Sequence, residues 1–302
     1  MSTTTSVPAV SPMHPMLVRE PFHRDGWIFE EKYDEWRMLA FKDGERVRLV
    51  SRNGRDHTAR FADIARAVGQ LPPRTLVLDG EICAFDANLI SHIYLLDARP
   101  EEPATPPVFI AFDCLYRRGR DLRGEPLSYR RRALEDAVGD GYRVYCARRL
   151  HAYGLEAWAE VKQRGYEGLV AKREASAYRA GPTREWLKVK VRHEGRFVVV
   201  GLDVPLAGAC SLLLAARVGR RLLYVGRVEW GVSRRIVAEL RERSAVLSTP
   251  ICEGAKRGRG IVWLDPSAVV EVQYNEMMQG RLRDAVLRSV HDLPYRKDYA
   301  QP

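Results

Sequence analysis

Apolar and polar residues alternate over residues 47–51, which predicts a strand, and Asn53-Gly54 supplies a turn after it. Residues 61–68 carry apolar positions at helical spacing, and the short apolar runs 76–78 and 108–112 read as buried strands. Amphipathic helices are predicted over 129–138 and 155–163, followed by strands over 168–171 and 186–191. This irregular mixture fits an α+β domain better than a regular βαβ alternation.

The texture changes after Val191. Residues 197–201, 212–218 and 222–228 are strand-like, the last two joined as a hairpin at Gly219-Arg220-Arg221. Ser233 is a plausible N-cap for a helix running towards Val246, and residues 269–274 alternate again. Short strands with one helix suggest a small β-barrel of the oligonucleotide-binding type. The plainer alternative is that these strands extend the first domain's sheet. The expected organisation is a flexible N-terminus over 1–15, an α+β domain over 16–191 and the barrel over 192–302.

Composition narrows the partner. Among 302 residues, 49 Lys and Arg face 39 Asp and Glu, a formal net charge of +10. Such an excess favours a polyanion, although a basic soluble enzyme of no special partner is the bland reading. No apolar run approaches the ~20 residues of a membrane span, and residues 1–16 lack the basic start and apolar stretch of a secretory signal. The five cysteines are scattered without a Cys-x-x-Cys pair, which argues against a disulfide framework or zinc site and for a reducing cytoplasm. Neither a Gly-x-x-x-x-Gly-Lys-Ser/Thr loop nor a His-Glu-x-x-His helix is present.

Residues 30–37 read Glu-Glu-Lys-Tyr-Asp-Glu-Trp-Arg. With Lys32 as nucleophile, Asp34 to orient it and Arg37 on a nucleotide's sugar or phosphate, the octet suits nucleotidyl transfer. It resembles the attachment motif Lys-x-Asp-Gly of covalent nucleotidyltransferases, the superfamily of DNA ligases, RNA ligases and mRNA-capping enzymes. Further segments resemble that superfamily's motifs in order: Ser51-Arg52-Asn53-Gly54, Asp79-Gly80-Glu81, Ala111-Phe112-Asp113, the run from Glu167 to Lys172, and Trp186-Leu187-Lys188-Val189-Lys190. Over roughly residues 15–290 the chain is most similar to compact ATP-dependent DNA ligases of bacteria, including the ligase modules of end-joining systems.

The resemblance implies a nucleotidyltransferase (adenylation) domain followed by an OB-fold. It implies ATP as donor, with Lys32 and Asp34 catalytic and Glu30, Lys32, Arg37, Arg52, Glu81, Phe112, Lys172, Lys188 and Lys190 around the nucleotide. Phe112 would stack on the purine, while Glu81 and Glu167 would hold Mg2+ or Mn2+. Duplex DNA with nicks or ends is the implied substrate, a DNA-end-binding protein an optional partner, the bacterial cytosol or nucleoid the setting, and a monomer with no membrane association the expected state. A lysine amine attacks phosphorus only when unprotonated, and burial, neighbouring cations and a divalent metal favour that form.

Three departures from the family pattern bear on self-adenylation. Glu35 stands where the motif has glycine, and Glu229-Trp230 replaces small residues of a barrel segment. In the closing segment 288–294, His291 stands near a usual basic position, and Arg281 and Arg283 are the nearby cations. The rivals to a DNA ligase are an RNA ligase or capping-type enzyme of the same superfamily, and a degenerate homologue that binds DNA ends without catalysis.

Overall fold

The computed structural model describes residues 7–33, 35–96, 105–205, 208–258 and 260–292. The chain divides into two compact units, Met1–Val191 and Arg192–Pro302. In order, the first contains β1 (Met13–Leu17), β2 (Trp27–Glu31), β3 (Trp36–Asp43), β4 (Arg46–Ser51), α1 (Ala62–Gln70), β5 (Thr75–Cys83) and β6 (Val108–Arg117). It continues through β7 (Arg120–Asp121), α2 (Leu127–Val138), β8 (Val144–Cys146), α3 (Gly154–Arg164), β9 (Gly168–Arg173) and β10 (Gly181–Lys190).

Strands β1-β10-β9-β2 form one sheet, and β4-β3-β5-β6-β7, with β8 on β6, form a second. The period of two along each strand decides what each face packs against. In β3, Met38 and Ala40 join a core with Ile64 and Val68 of α1 and Leu134 and Ala137 of α2. Leu39 and Phe41 point the other way, into a cluster shared with Ile28, Val77 and Trp186 from both sheets. On the first sheet, Phe29, Leu169, Ala171, Leu187 and Val189 pack with Ala157 and Val161 of α3. The intervening positions Glu30, Lys172, Trp186 and Lys188 are thereby turned to the opposite face.

The expected flexible lead-in over 1–15 is corrected at its end: Met13–Leu17 is a strand, paired in parallel with β10. Met13 is fully buried, and its amide donates to the Tyr178 hydroxyl, so apolar burial and a backbone ladder fix a segment whose composition looks loose.

The second unit contains β11 (His193–Asp203), β12 (Ser211–Val218), β13 (Arg221–Val228), α4 (Arg234–Arg243), β14 (Val246–Leu247), β15 (Ile261–Leu264), β16 (Ala268–Tyr274), β17 (Glu276–Met278), β18 (Arg281–Arg283) and β19 (Val286–Asp292). β11 serves two halves of one sheet: residues 193–198 pair with β16 and residues 201–203 with β15, while β12 runs alongside on its other edge. A strand shared in this way around a core of Phe197, Leu212, Leu214 and Val270 is the oligonucleotide-binding arrangement. Helix α4 stops at Arg243 rather than reaching Val246. Ser244 is buried in extended geometry, and Val246–Leu247 pairs with β15 instead.

Candidate active site

The α3-distal face of the first sheet carries charges that a strand can hold only if they are paired. Glu30, on β2, is 1% exposed. Its Oε1 lies 2.9 Å from an Arg131 guanidinium nitrogen and its Oε2 lies 2.6 Å from Lys172 Nζ. The Lys172 ammonium also sits 4.3 Å from the ring centres of both Phe112 and Trp186, a cation held by aromatic faces. Burial depresses the Lys172 pKa, with Glu30 opposing that shift.

Lys32 lies just beyond β2, where its amide donates to the Gly168 oxygen at 3.0 Å. Its side chain is buried, and Nζ is 2.8 Å from Glu167 Oε2. The second Glu167 oxygen, Oε1, is 2.9 Å from Lys190 Nζ. One carboxylate thus bridges two of the predicted lysines.

Arg37 on β3 is committed to buried Asp79 on β5, with Nε at 3.0 Å from Oδ1 and a terminal nitrogen at 2.7 Å from Oδ2. The same nitrogen donates to the Met13 oxygen at 2.7 Å, and Asp79 accepts from Tyr178 at 2.6 Å. Burial alone would lower the Arg37 pKa; Asp79 more than offsets this and keeps the guanidinium charged. Arg37 also lies 5.3 Å from the Phe112 ring centre.

These groups surround a cleft of about 540 Å³. Of the predicted residues, Glu30, Lys32, Arg37, Arg52, Glu81, Phe112, Lys172 and Lys188 line it. Lys190 and Glu167 are not on its wall but reach it through the pair with Lys32. Asp34 lies outside the described residues. No group of three or more His, Cys, Asp and Glu side chains with metal-binding geometry occurs among the described residues.

Several participants left no signal in the motifs. Arg131 comes from α2, about a hundred residues from its partner Glu30. Glu31 lines the cleft and also a second cavity of about 370 Å³ with Arg148, Arg164 and Tyr166. Burial raises its pKa to about 7. Burial and the Arg37 cation lower the pKa of His14. Glu35 is on the cleft wall, and burial followed by the charges of Glu35, Glu81 and Glu31 drives the Cys83 thiol well above its ordinary range. An alternating apolar strand would have been found; buried charge on β2 disguised this one.

In the second unit, the Arg281 guanidinium is taken up by the carbonyl oxygens of Gly254 and Tyr224 and stacks on the Tyr224 ring at 4.4 Å. It braces the strand β18 locally. His291 lies 2.7 Å from Ser289 Oγ, which donates to Glu271.

Two families match this chain: the ATP dependent DNA ligase domain over residues 12–190 and the ATP dependent DNA ligase C terminal region over residues 207–292. The chain is 33% identical over 275 residues to the multifunctional non-homologous end joining DNA repair protein LigD of Mycobacterium tuberculosis, covering 87% of this chain and 36% of that protein. The LigD of Pseudomonas aeruginosa is 31% identical over 298 residues, covering 94% and 35%. The chain therefore spans about a third of the length of these curated relatives. The crystal structure of the ligase domain from M. tuberculosis LigD is similar with a TM-score of 0.57 at 29% identity, covering 96% of both chains. A mycobacterial DNA ligase D complexed with ATP and MES gives a TM-score of 0.58 at 29% identity, covering 97% of each.

Proposed function

Because this chain belongs to the ATP-dependent DNA ligase family, we propose that it joins DNA strands through an adenylate carried on Lys32. The observation that carries this reading is the buried Lys32 side chain on the cleft, held at 2.8 Å by Glu167. A lysine placed for solubility would be exposed and mobile; this one is preorganised against a site-sized cavity.

In the first step the Lys32 ammonium gives up a proton, for which Glu167 Oε2 is an acceptor within reach. Nζ then attacks the α-phosphorus of ATP, the bond to the bridging oxygen breaks, and pyrophosphate leaves as the phosphoramidate forms. AMP next passes to a DNA 5′-phosphate, and a 3′-hydroxyl displaces it to close the backbone. Lys188, Arg52 and Arg37 offer positive charge along the cleft wall, where charge develops on the transferring phosphoryl group. Phe112, in contact with Lys172 and set edge-on to Trp186, offers a ring for the purine.

Divalent metal suits the donor set in part. Glu81 on the wall would hold Mg2+ or Mn2+ together with phosphate oxygens, while Glu167 would first have to release its lysines. When bound, the metal neutralises phosphate charge. The relatives named for non-homologous end joining support a role at DNA ends; within that reading the chain acts in a bacterial cytosol as a monomer beside an end-binding protein.

The test is incubation with ATP labelled at the α-phosphorus, using wild type and Lys32→Ala, followed by a nicked duplex. Wild type should form an acid-stable, hydroxylamine-resistant adduct and seal the nick; Lys32→Ala should do neither. Labelling by GTP alone would favour the capping rival. Binding of DNA ends without any labelling would favour the degenerate homologue.

A further inference from the structure

Glu229-Trp230 lies in the second unit, and its geometry is unusual. Trp230 is 73% exposed, whereas the other five tryptophans are buried or half-buried. Its backbone is nonetheless held on both sides. The Trp230 oxygen accepts from the Leu287 amide at 2.8 Å, and the residue bridges Val286. Gly231 follows at φ +86°, where an added Cβ would meet the Leu287 oxygen at 2.8 Å, so the turn admits only glycine. The Val232 amide then donates to the Glu229 oxygen at 3.2 Å, and Ser233 caps α4. The backbone that carries this exposed ring is thereby held in place by a tight turn.

The ring's surroundings indicate what covers it. Glu229, Gly231, Ser233, Arg234 and Arg235 are all exposed, so the chain around Trp230 offers no other fully exposed apolar side chain. A protein partner needs a contiguous apolar area of several hundred Å². Residues 217–243 carry eight Arg against three Glu, and Arg234 forms no ion pair among the described residues. A single exposed planar ring on an arginine-rich segment is the complement of one nucleobase with its phosphates.

We propose that Trp230 stacks on an unpaired base of a DNA strand, with Arg234 on the adjoining phosphate. The second unit would thereby favour ends or gaps that expose single-stranded nucleotides. A base inside a duplex has both faces covered by its neighbours, so an isolated platform has little to offer intact double helix. This inference rests on the reading of the chain as a DNA-joining enzyme, and it concerns a surface remote in sequence from every cleft residue.

The test compares full-length wild type, Trp230→Ala, Trp230→Phe and Arg234→Ala for binding of labelled oligo(dT) and of a blunt duplex. Lys32 labelling by ATP is measured in parallel. Trp230→Ala should weaken oligo(dT) binding on the order of tenfold, the usual effect of losing one stacked base. Trp230→Phe should retain most of the affinity, Arg234→Ala should lose part of it, and duplex binding and labelling should stay at wild-type levels. Equal oligo(dT) affinity in Trp230→Ala and wild type overturns the proposal. So does an equal loss on duplex, or self-association of wild type that Trp230→Ala abolishes in sedimentation, which would assign the ring to a protein contact. Absent Lys32 labelling with the oligo(dT) effect intact would sink the joining reaction while leaving the stacking site standing.

Discussion

Arg131 and Glu30 face each other with 2% of each side chain exposed. Removing one member of so deeply buried a pair strands the other charge, which costs about 3–5 kcal/mol. Arg131→Met should lower unfolding stability by that amount in urea titrations and weaken ATP labelling, because Glu30 also fixes Lys172 over Phe112. A loss within experimental error would show that the pair is dispensable. Glu31 gives a pH signature. Its folded pKa of about 7 lies above the ordinary 4.5, so the folded state holds the proton more tightly than the unfolded one. The stability it contributes is complete below about pH 4.5 and is lost as pH rises through 7, a swing of roughly 3 kcal/mol. Urea unfolding of wild type and Glu31→Gln should therefore diverge with rising pH, the variant being the more stable at alkaline pH; parallel curves would refute the assignment. Glu35→Gly should label Lys32 faster if the carboxylate on the cleft wall repels the triphosphate, as timed labelling would show. The residues legible in the sequence were those whose chemistry is local. Lys32 and Arg37 share one octet, whereas Arg131 meets Glu30 only after the chain has folded, and no spacing records that.

At the level of elements, Gly168 links local conformation to the site. An added Cβ there would sit 2.1 Å from the Val189 oxygen and 3.1 Å from the Lys190 Cα, both backbone atoms of the paired strand β10. The strand cannot yield without moving Lys190, and Lys32 is anchored on the Gly168 oxygen. Gly168→Ala should destabilise the first unit by about 3 kcal/mol, at the upper end for overpacking, and should reduce labelling beyond what residual folding explains; circular dichroism melts beside timed labelling separate the two. Elements with clean apolar periodicity were legible: α1, α2 and α3 fall within two residues of the expected 61–68, 129–138 and 155–163. β2 was not, because Glu30 and Glu31 place buried charge where a strand pattern expects apolar residues. β14 was absorbed into an overlong α4, since Val246 and Leu247 continue an apolar rhythm that the buried Ser244 interrupts. Polar burial is what sequence periodicity cannot see, and the buried Glu30, Glu31, Lys32 and Lys172 all line the cleft.

For the whole molecule the distribution of charge matters more than its sum. Residues 1–191 carry 31 Lys and Arg against 27 Asp and Glu, while residues 192–302 carry 18 against 12. The shorter unit therefore holds the larger excess, which suits a surface meeting phosphates. Many of its arginines are nonetheless paired, as in Arg196–Glu271, Arg221–Glu253 and Arg227–Asp203. Exposed pairs of this kind are weak and exchangeable, so DNA phosphate can replace the carboxylate partner without a large penalty. Binding of a nicked duplex should then fall steeply with salt: about six neutralised phosphates correspond to a loss on the order of 10³-fold between roughly 50 and 200 mM salt. Labelling of Lys32 by ATP should respond far less, since the Lys32 side chain is buried and its partner Glu167 half-buried, so this pair is screened less than the exposed ones. Fluorescence anisotropy for DNA and gel-based labelling for ATP, taken over the same salt series, provide the comparison. A shallow slope for DNA would mean that the carboxylates keep their arginines, and the excess charge of the second unit would then need another explanation than a grip on the nucleic-acid backbone.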